Sequence, residues 1–313
     1  MKPKNTSLLP DSLTSHQLKM NMSKVKYGIR PHYLKEGDKI MLAAPARFAS
    51  PALIQEAASV VRAAGFTPVI PSGLEARDHQ FSGDANFKGG SDAHRAAIIN
   101  SAFRDKSVRA IWALRGGYGC GRILPLLEIG AYLDDPTWII GFSDVTALLS
   151  WSVNQGIACL HAPVASTFAS TNKTHIREFW KTLKGELEVI PNIPKVKIVG
   201  GNLSVLYSLL GTPYFPKVEN CYILIEDLDE YLYHIDRMLL AFKLAGVFEK
   251  ADGLIVGTFS DLRDNTIRDG QTSDNPFGLS LEQIISAHVP ENYPVTFNNP
   301  MGHGEMNYPV VFG

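Results

Sequence analysis

Cysteine is scarce in this sequence, and the few cysteines present form no pattern. The 313 residues contain three, Cys120, Cys159 and Cys221, an odd number without regular spacing. A disulfide framework needs paired cysteines, and the zinc-binding patterns C-x-x-C and H-E-x-x-H do not occur in the sequence. We therefore expect a protein of a reducing compartment, with no disulfide framework and no metal site.

The sequence also lacks an excess of charge and a long apolar run. It carries 30 lysines and arginines against 31 aspartates and glutamates, a formal net charge of −1. This balance gives no reason to expect nucleic acid or an anionic membrane as a partner. No apolar run reaches transmembrane length, and the N-terminus lacks the apolar core of a signal peptide. The expected location is the cytoplasm.

Order is predicted to begin after a polar N-terminal stretch. Residues 1–26 show no apolar periodicity, so we expect a disordered extension or a segment upstream of a start near Met22. Residues 30–170 then alternate short β-branched apolar runs with stretches that have apolar residues at helical spacing. This alternation predicts an α/β domain built on a flavodoxin-like or Rossmann-like parallel sheet.

A second, smaller α/β domain is predicted for residues 185–313. The length of the chain suits two domains, and strand and helix patterns continue to alternate from residue 198 onward. The sequence stops at residues 310–313, within or just after a predicted strand. Between the two domains, residues 173–197 are polar and dotted with prolines, and we interpret them as a linker.

A turn that carries Ser143 is the first candidate site. Residues 138–140 predict a buried strand, and apolar residues at helical spacing from Val145 onward predict a helix. The turn between them would expose a serine hydroxyl at a helix N-terminus, as a nucleophile elbow does. The pattern G-x-S-x-G is incomplete, because Val145 stands in place of its second glycine. The alternative is that Ser143 or Asp144 only caps the helix.

A glycine-rich turn, residues 115–121, follows another predicted strand. Glycines there let the backbone approach a ligand closely, so a phosphate cradle is one hypothesis. The pattern G-x-G-x-x-G is not in register, however, and no Lys-Ser or Lys-Thr follows. The alternative hypothesis is that a glycine N–H supplies half of an oxyanion hole.

Glu226 and His303 are the candidates that would activate a serine. Glu226 follows a predicted strand and His303 lies between two glycines, so both can reach the edge of a sheet. Each has a simpler interpretation: Glu226 as a surface carboxylate paired with Arg237, and His303 as a turn residue. His161 and His234 are rival bases. Cys120 is not expected to be the nucleophile, because no base stands near it in the sequence.

Taken together, these motifs resemble the LD-carboxypeptidase family, which includes murein tetrapeptidases and microcin-immunity peptidases. The matching stretches run in the family's order from about residue 30 to the end of the chain. They are Gly37-Asp38-Lys39-Ile40 with Ala44-Pro45, Arg115-Gly116-Gly117-Tyr118-Gly119, Gly141-Phe142-Ser143-Asp144-Val145-Thr146, Gly200-Gly201-Asn202, Glu226-Asp227, Ile235-Asp236-Arg237-Met238-Leu239 and Gly302-His303.

The resemblance implies a role for each candidate residue. It makes Ser143 the nucleophile, His303 the base and Glu226 the residue that orients the base. It also implies that the N–H groups of Gly117 and Asp144 form the oxyanion hole. In the glycine-rich turn, the candidate substrate-binding residues are Arg115 and Tyr118. A cation near the terminal carboxylate would make the enzyme a carboxypeptidase, although an ion pair is an alternative role for Arg115.

The activity implied by the resemblance is that of a cytoplasmic serine peptidase without a cofactor. The substrate would be a muropeptide from peptidoglycan recycling, cut between the L-centre of diaminopimelate or lysine and a terminal D-alanine. Two alternatives stay open: an immunity-type peptidase acting on a peptidyl-adenylate antibiotic, and a non-catalytic module that binds a phosphate or a nucleotide. A homodimer is one alternative for the assembly.

Overall fold

A computed structural model describes residues 28–77, 90–186, 190, 193–264 and 276–313. The predicted disordered extension, residues 1–26, lies outside the described residues. Within the described ranges, no helix is long and apolar enough to cross a membrane.

Strands and helices alternate along most of the described chain. The strands are β1 Lys39–Ala43, β2 Thr67–Val69, β3 Val108–Ala113, β4 Trp138–Gly141, β5 Cys159–His161, β6 Ile198–Asn202, β7 Tyr222–Leu228, β8 Gly253–Ser260, β9 Val295–Thr296 and β10 Val310–Phe312. The α-helices are α1 Pro51–Ala63, α2 Asp92–Arg104, α3 Cys120–Ile123, α4 Ile129–Asp134, α5 Thr146–Asn154, α6 Ala165–Phe168, α7 Lys173–Lys184, α8 Leu203–Leu209, α9 Leu232–Leu244, α10 Val247–Lys250 and α11 Leu281–His288.

The first sheet has the order β10-β5-β4-β3-β1-β2. Strands β1 to β5 pair in parallel, and β10 alone runs antiparallel, against β5. The central strands β3 and β4 are almost entirely buried, as their continuous apolar runs require when both faces of a sheet are covered. The predicted parallel-sheet domain is confirmed.

The second sheet is smaller and has the order β6-β7-β8-β9, with every pair parallel. It confirms the prediction of a second, smaller α/β unit. Parallel strands share one carboxyl edge, and ligands bind beyond such an edge. In this sheet Asn202 and Glu226 are register partners near the carboxyl ends of β6 and β7, so both residues lie at this edge.

The interpretation of residues 173–197 as a linker is wrong for their first half. Lys173–Lys184 forms helix α7, which ends at Gly185 in a left-handed conformation with φ +78°. Its polar face is exposed, while Phe179 is fully buried and its ring lies 5.8 Å from that of Trp112 in β3. The abundant polar residues belong to a surface helix with one apolar face, so only a shorter segment connects the sheets.

The end of the chain crosses from the second sheet back to the first. Strand β10 returns to the first sheet, where Val310 pairs with His161 of β5. The last residue, Gly313, donates a backbone hydrogen bond of 3.0 Å to Ile198 of β6. The two sheets therefore meet at β10 and β6, and the segment that carries His303 is held at both of its ends.

Candidate active site

Ser143 lies on the turn between β4 and α5, as predicted. Its φ is +60°, a left-handed conformation that is uncommon for residues other than glycine and often occurs at functional sites. Gly141 permits the tight bend before it, since a methyl group there would lie 2.8 Å from a side-chain carbon of Val145. The bend therefore depends on Gly141, which leaves room for the Val145 side chain.

Helix capping does not account for this turn. Neither the short 3-10 helix Ser143–Val145 nor α5 receives a side-chain cap. The Asp144 carboxylate accepts a hydrogen bond of 2.8 Å from the Cys120 N–H and so faces the glycine-rich turn. Within the described part of the chain, the Ser143 hydroxyl has no hydrogen-bond partner, which leaves it available for chemistry.

The glycine-rich turn, residues 115–121, lies directly against this serine. A methyl group on Gly116 would lie 2.8 Å from the Ser143 hydroxyl oxygen, so only glycine allows the approach. The N–H groups of Gly117 and Asp144 donate no hydrogen bond to any described residue. Two backbone donors near the serine hydroxyl are thus available for a developing negative charge, the arrangement that an oxyanion hole needs.

Side chains on either side hold the turn in place. Buried Arg95 donates a hydrogen bond of 3.0 Å to the carbonyl oxygen of Gly119, and Asp144 accepts from Cys120 at the start of α3. Burial raises the pKa of Asp144, although its hydrogen bonds from Cys120 and the charge of Arg95 oppose that rise. The Asp144 carboxylate occupies the helix N-terminus that a phosphate would need, which weighs against the phosphate-cradle hypothesis.

Glu226 and His303 form the predicted pair. The distance from His303 Nδ1 to Glu226 Oε2 is 2.6 Å, and the Glu226 side chain is fully buried. Glu226 lies inside β7, at the point where the register against β8 shifts, rather than after the strand. Gly302 lets the His303 segment lie on the carboxylate, because a methyl group there would lie 2.8 Å from the Glu226 Cβ.

The buried carboxylate changes how His303 titrates. Burial by itself would lower the pKa of His303, but the hydrogen bond and the negative charge of Glu226 outweigh burial, and the pKa is raised. The pairing also leaves Nε2 as the ring nitrogen that can serve a second partner. This is the arrangement of a general base whose tautomer is set by a carboxylate.

His303 lies beside the elbow. Its ring centroid is 4.7 Å from that of Phe142, the residue before Ser143. Among the described residues, no hydrogen bond joins Ser143 to His303. The predicted hydrogen bond of His303 to Glu226 is therefore confirmed, whereas the structure does not show the predicted hydrogen bond to Ser143.

The rival assignments are not supported. His234 pairs at 2.5 Å with Glu230, its neighbour four residues earlier, and not with Glu226. Glu226 is fully buried and pairs with His303, and the guanidinium of Arg237 lies over the Tyr233 ring at 5.3 Å, so a surface pair of Glu226 with Arg237 is not supported. His161 is fully buried, and neither of its ring nitrogens forms a hydrogen bond with another described residue. Of these three histidines, His303 is the one that pairs with Glu226.

Cys120 belongs to the glycine-rich turn, is the first residue of α3 and is fully buried. Burial and the neighbouring Asp144 carboxylate raise the pKa of its thiol well above the ordinary value. A thiol in that state does not ionise at neutral pH and is a poor nucleophile, in agreement with the sequence-based expectation. Across the ranges that the structure describes, no three His, Cys, Asp or Glu side chains cluster closely enough to hold a metal ion.

Arg115 and Tyr118 differ in their surroundings. Tyr118 is exposed on the glycine-rich turn. Arg115 forms no ion pair with a described residue, and its buried Nε has no hydrogen-bond partner there, so the ion-pair alternative is not supported. Burial and then the positive charge of Arg47 lower its pKa. Arg47, whose Cβ lies 3.2 Å from the Cβ position of Gly117, is a second cation that the sequence analysis missed.

A buried polar network ties the elbow helix to the second sheet. The side-chain amide of Asn202 donates to Asp227 at 2.8 Å, and the Asn202 N–H donates to the Thr146 hydroxyl at 3.0 Å. Burial and the charge of Glu226 raise the pKa of Asp227 to about 6. The only signals in the sequence were the Gly-Gly-Asn and Glu-Asp stretches, which predict no partner for either residue.

Two family models match the chain, and together they cover most of it. The model for the LD-carboxypeptidase N-terminal domain matches residues 40–162, and the model for the C-terminal domain matches residues 195–313. This protein belongs to the LD-carboxypeptidase family. Membership supports a carboxypeptidase activity.

Named relatives agree with this assignment. A putative carboxypeptidase of Vibrio cholerae is 30% identical over 83% of this chain and 87% of its own length. A probable murein peptide carboxypeptidase of Bacillus subtilis is 29% identical over 83% of this chain and 82% of its own. A murein tetrapeptide carboxypeptidase of Pseudomonas aeruginosa is 26% identical over 72% and 76%, respectively.

Solved structures share the fold at lower identity. A muramoyltetrapeptide carboxypeptidase from Oxalobacter formigenes superimposes with a TM-score of 0.70 and 22% identity, covering 88% of this chain and 92% of its own. The protein MccF, solved with glutamyl sulfamoyl guanosine, superimposes with a TM-score of 0.75 and 18% identity over 90% and 93%. These similarities establish the two-sheet α/β architecture.

Proposed function

We propose that the protein is a cytoplasmic serine carboxypeptidase that releases the terminal D-alanine of muropeptides during peptidoglycan recycling. The observation that carries the proposal is the contact of 2.6 Å between His303 Nδ1 and Oε2 of the buried Glu226, next to a serine on a strained turn. Relatives named as murein peptide carboxypeptidases supply the substrate class. Formation of a homodimer and the absence of nucleic-acid and membrane partners stay predictions.

In the proposed mechanism Ser143 attacks the carbonyl carbon of the bond to D-alanine. His303 takes the hydroxyl proton on Nε2 and later delivers it to the amine of the leaving D-alanine. The buried Glu226 carboxylate holds the Nδ1–H tautomer and stabilises the imidazolium that forms. Water then repeats the attack on the acyl-enzyme, with His303 again as the base.

The negative charge on the carbonyl oxygen develops between the N–H groups of Gly117 and Asp144. Neither donor is engaged by a described residue, and the Asp144 side chain holds the glycine-rich turn in place through Cys120. Donors that are fixed before the reaction stabilise the oxyanion without having to reorganise, which typically contributes about 10²- to 10³-fold in rate per donor.

Arg115 and Arg47 provide the positive charge that a terminal carboxylate requires. Arg115 has no acidic partner among the described residues, and burial together with the positive charge of Arg47 lowers its pKa. A substrate carboxylate beside Arg115 would offset the positive charge of Arg47 and place the last peptide bond over Ser143. Tyr118, exposed on the same turn, is the proposed contact for the remainder of the peptide.

The direct test is release of free D-alanine from a tetrapeptide muropeptide by the purified protein. We expect release from the wild type and none from Ser143→Ala. Two matched substrates sharpen the test: the same peptide ending in L-alanine tests stereochemistry, and its C-terminal amide tests recognition of the carboxylate by Arg115. A wild-type protein that leaves the D-alanine peptide intact would contradict the proposed substrate.

An immunity-type peptidase acting on a peptidyl-adenylate is the second candidate. Structural similarity to MccF and an exposed aromatic residue on the glycine-rich turn, Tyr118, favour it, since an adenine ring can stack on such a side chain. A non-hydrolysable aminoacyl sulfamoyl adenosine distinguishes the two functions. Binding that is tighter than that of the muropeptide, and weakened by Tyr118→Ala, would support this candidate over the first.

A further inference from the structure

His161 is a buried histidine that the proposed mechanism does not use. It is the last residue of β5 and has no exposed surface. Its ring packs between two aromatic side chains, with centroid distances of 6.0 Å to Phe142 and 5.4 Å to Phe312. Neither ring nitrogen forms a hydrogen bond with another described residue. Burial lowers its pKa to about 4, so the imidazole is neutral and has one N–H to donate.

The position of His161 brings it to the catalytic pair. In the first sheet it is the register partner of Gly141, which precedes the elbow, and of Val310 in β10, which adjoins the second sheet. Phe142 contacts both histidines, since its ring also lies 4.7 Å from that of His303. The charges of Glu226 and His303 both act on His161, the first raising its pKa and the second lowering it.

One carboxylate oxygen of Glu226 also lacks a hydrogen-bond partner. His303 engages only Oε2, and the other carboxylate oxygen, Oε1, is buried without a hydrogen-bond partner among the described residues. Buried polar atoms are nearly always hydrogen-bonded, either to protein or to ordered water. The imidazole of His161 has an N–H donor without an acceptor, and Oε1 of Glu226 is an acceptor without a donor.

We propose that His161 is a positioning residue, whose N–H holds Oε1 of Glu226 through one buried water molecule. The Glu226 carboxylate is then fixed from both sides, by His303 on Oε2 and by His161 on Oε1. This rests on the proposed function, in which Glu226 orients the base. The alternative is that His161 only fills space between Phe142 and Phe312.

The donor has a predictable effect on how His303 titrates. A second hydrogen bond favours the ionised carboxylate, and the ionised carboxylate in turn raises the pKa of His303. The other charged group acting on His303 is Asp227 of β7, which also raises the pKa and is unchanged by substitutions at His161. Loss of the His161 donor should therefore lower the pKa of His303.

Two variants separate donation from packing. His161→Phe keeps an aromatic ring and removes the N–H, whereas His161→Gln keeps an N–H donor and loses the ring. We expect His161→Phe to lower kcat by about 10- to 100-fold, the scale of one hydrogen bond to a charged group, with KM nearly unchanged. The acid limb of its kcat/KM profile should move to lower pH. His161→Gln should keep more activity than His161→Phe.

Measurements on the resting enzyme keep this test independent of the substrate. Titration of the His303 imidazole by NMR should show a lower pKa in His161→Phe than in the wild type. In Glu226→Gln, adding His161→Phe should change neither the His303 pKa nor kcat. An unchanged His303 pKa and kcat in His161→Phe would overturn the proposal, whereas a wild type that releases no D-alanine would overturn only the proposed function.

The unsubstituted protein offers a check that does not depend on the folding of either variant. A hydrogen-bonded His161 N–H should give a slowly exchanging imidazole proton signal that shifts in Glu226→Gln. Absence of such a signal, or a signal unaffected by Glu226→Gln, would contradict donation to the carboxylate.

Discussion

The elbow and the Glu226–His303 pair are held in place by opposite means. The elbow is joined to the glycine-rich turn by residues 24 positions apart, while the pair joins residues 77 positions apart. At the elbow the backbone carries the strain, with Ser143 at φ +60° and its side chain without a hydrogen bond to the described residues. In the pair the two side chains are hydrogen-bonded to each other, and Glu226 is fully buried while His303 is partly buried. The nucleophile can therefore be removed without harm to the fold, whereas the pair supports both fold and chemistry.

Ser143→Ala should separate activity from stability most completely. We expect kcat to fall by on the order of 10⁴-fold or more, because no other group can form the acyl-enzyme. The urea unfolding midpoint should stay at the wild-type value, since the hydroxyl bonds to no described residue. His303→Ala should be nearly as inactive, and the double variant little worse, because the residues act as a unit. Near-normal activity of folded Ser143→Ala would refute the elbow assignment.

Gly302→Ala should damage the pair while leaving the elbow intact. The added methyl group would lie 2.8 Å from Cβ and 2.9 Å from Oε2 of Glu226, so the His303 segment must move. Gly304→Ala is the matched control, because Gly304 also has a positive φ but its methyl group would meet nothing within 4 Å.

We expect Gly302→Ala to lose about 1–3 kcal/mol more unfolding free energy than Gly304→Ala, the usual cost of overpacking. It should also lose at least about tenfold more kcat, which corresponds to about 1.4 kcal/mol in the barrier. Urea unfolding and D-alanine release measure the two effects. Equal behaviour of the two variants would mean that the close contact at Gly302 is unimportant.

The pH dependence of kcat/KM should reflect the titration of His303 in the pair and not the state of the elbow. His303 works as a base only when neutral, and its raised pKa places the acid limb of kcat/KM above the ordinary histidine value of 6.5. Glu226→Gln should move that limb to lower pH and reduce kcat, though less than Ser143→Ala does. Ser143→Ala, which keeps the pair, should leave the His303 pKa measured by NMR in place.

The same shift gives stability a defined pH dependence. The pKa of His303 is higher in the folded protein than in the unfolded chain, where it is near 6.5. The pair therefore contributes its full stabilisation of the fold below pH 6.5, and this stabilisation is lost as the pH rises through the folded-state pKa. The unfolding free energy should fall more for the wild type than for Glu226→Gln when the pH is raised from below 6.5 to above the folded-state pKa of His303. An identical pH dependence in both proteins would contradict the coupling.

Cys120→Ala should have the smallest effect of these substitutions. The thiol is buried and its pKa is raised well above the ordinary value, so it takes no part in nucleophilic attack. Its backbone N–H, which holds Asp144, is retained in alanine. We expect most of the activity to remain, with at most a small loss of unfolding free energy from the missing sulfur. Inactivation as complete as that of Ser143→Ala would overturn the serine mechanism.

Local patterns in the sequence were enough for the elements that are built locally. The run at residues 138–140 and the helical spacing after Val145 located the elbow to within a residue, because strand and helix periodicities are short-range properties. The same reasoning failed for Lys173–Lys184, where polar residues of an exposed helix face concealed an apolar face directed at Trp112. Composition alone does not distinguish such a helix from a linker.

The sequence by itself determined the parallel α/β architecture, the serine on its turn, and Glu226 and His303 as candidates near sheet edges. Only the tertiary structure decided that these two residues meet at 2.6 Å, that β10 returns to the first sheet, and that Arg47 lies beside Arg115. It also decided that His161 is buried beside the pair. The physical reason is that each such contact joins distant segments through packing, and packing depends on the whole fold and not on the local sequence.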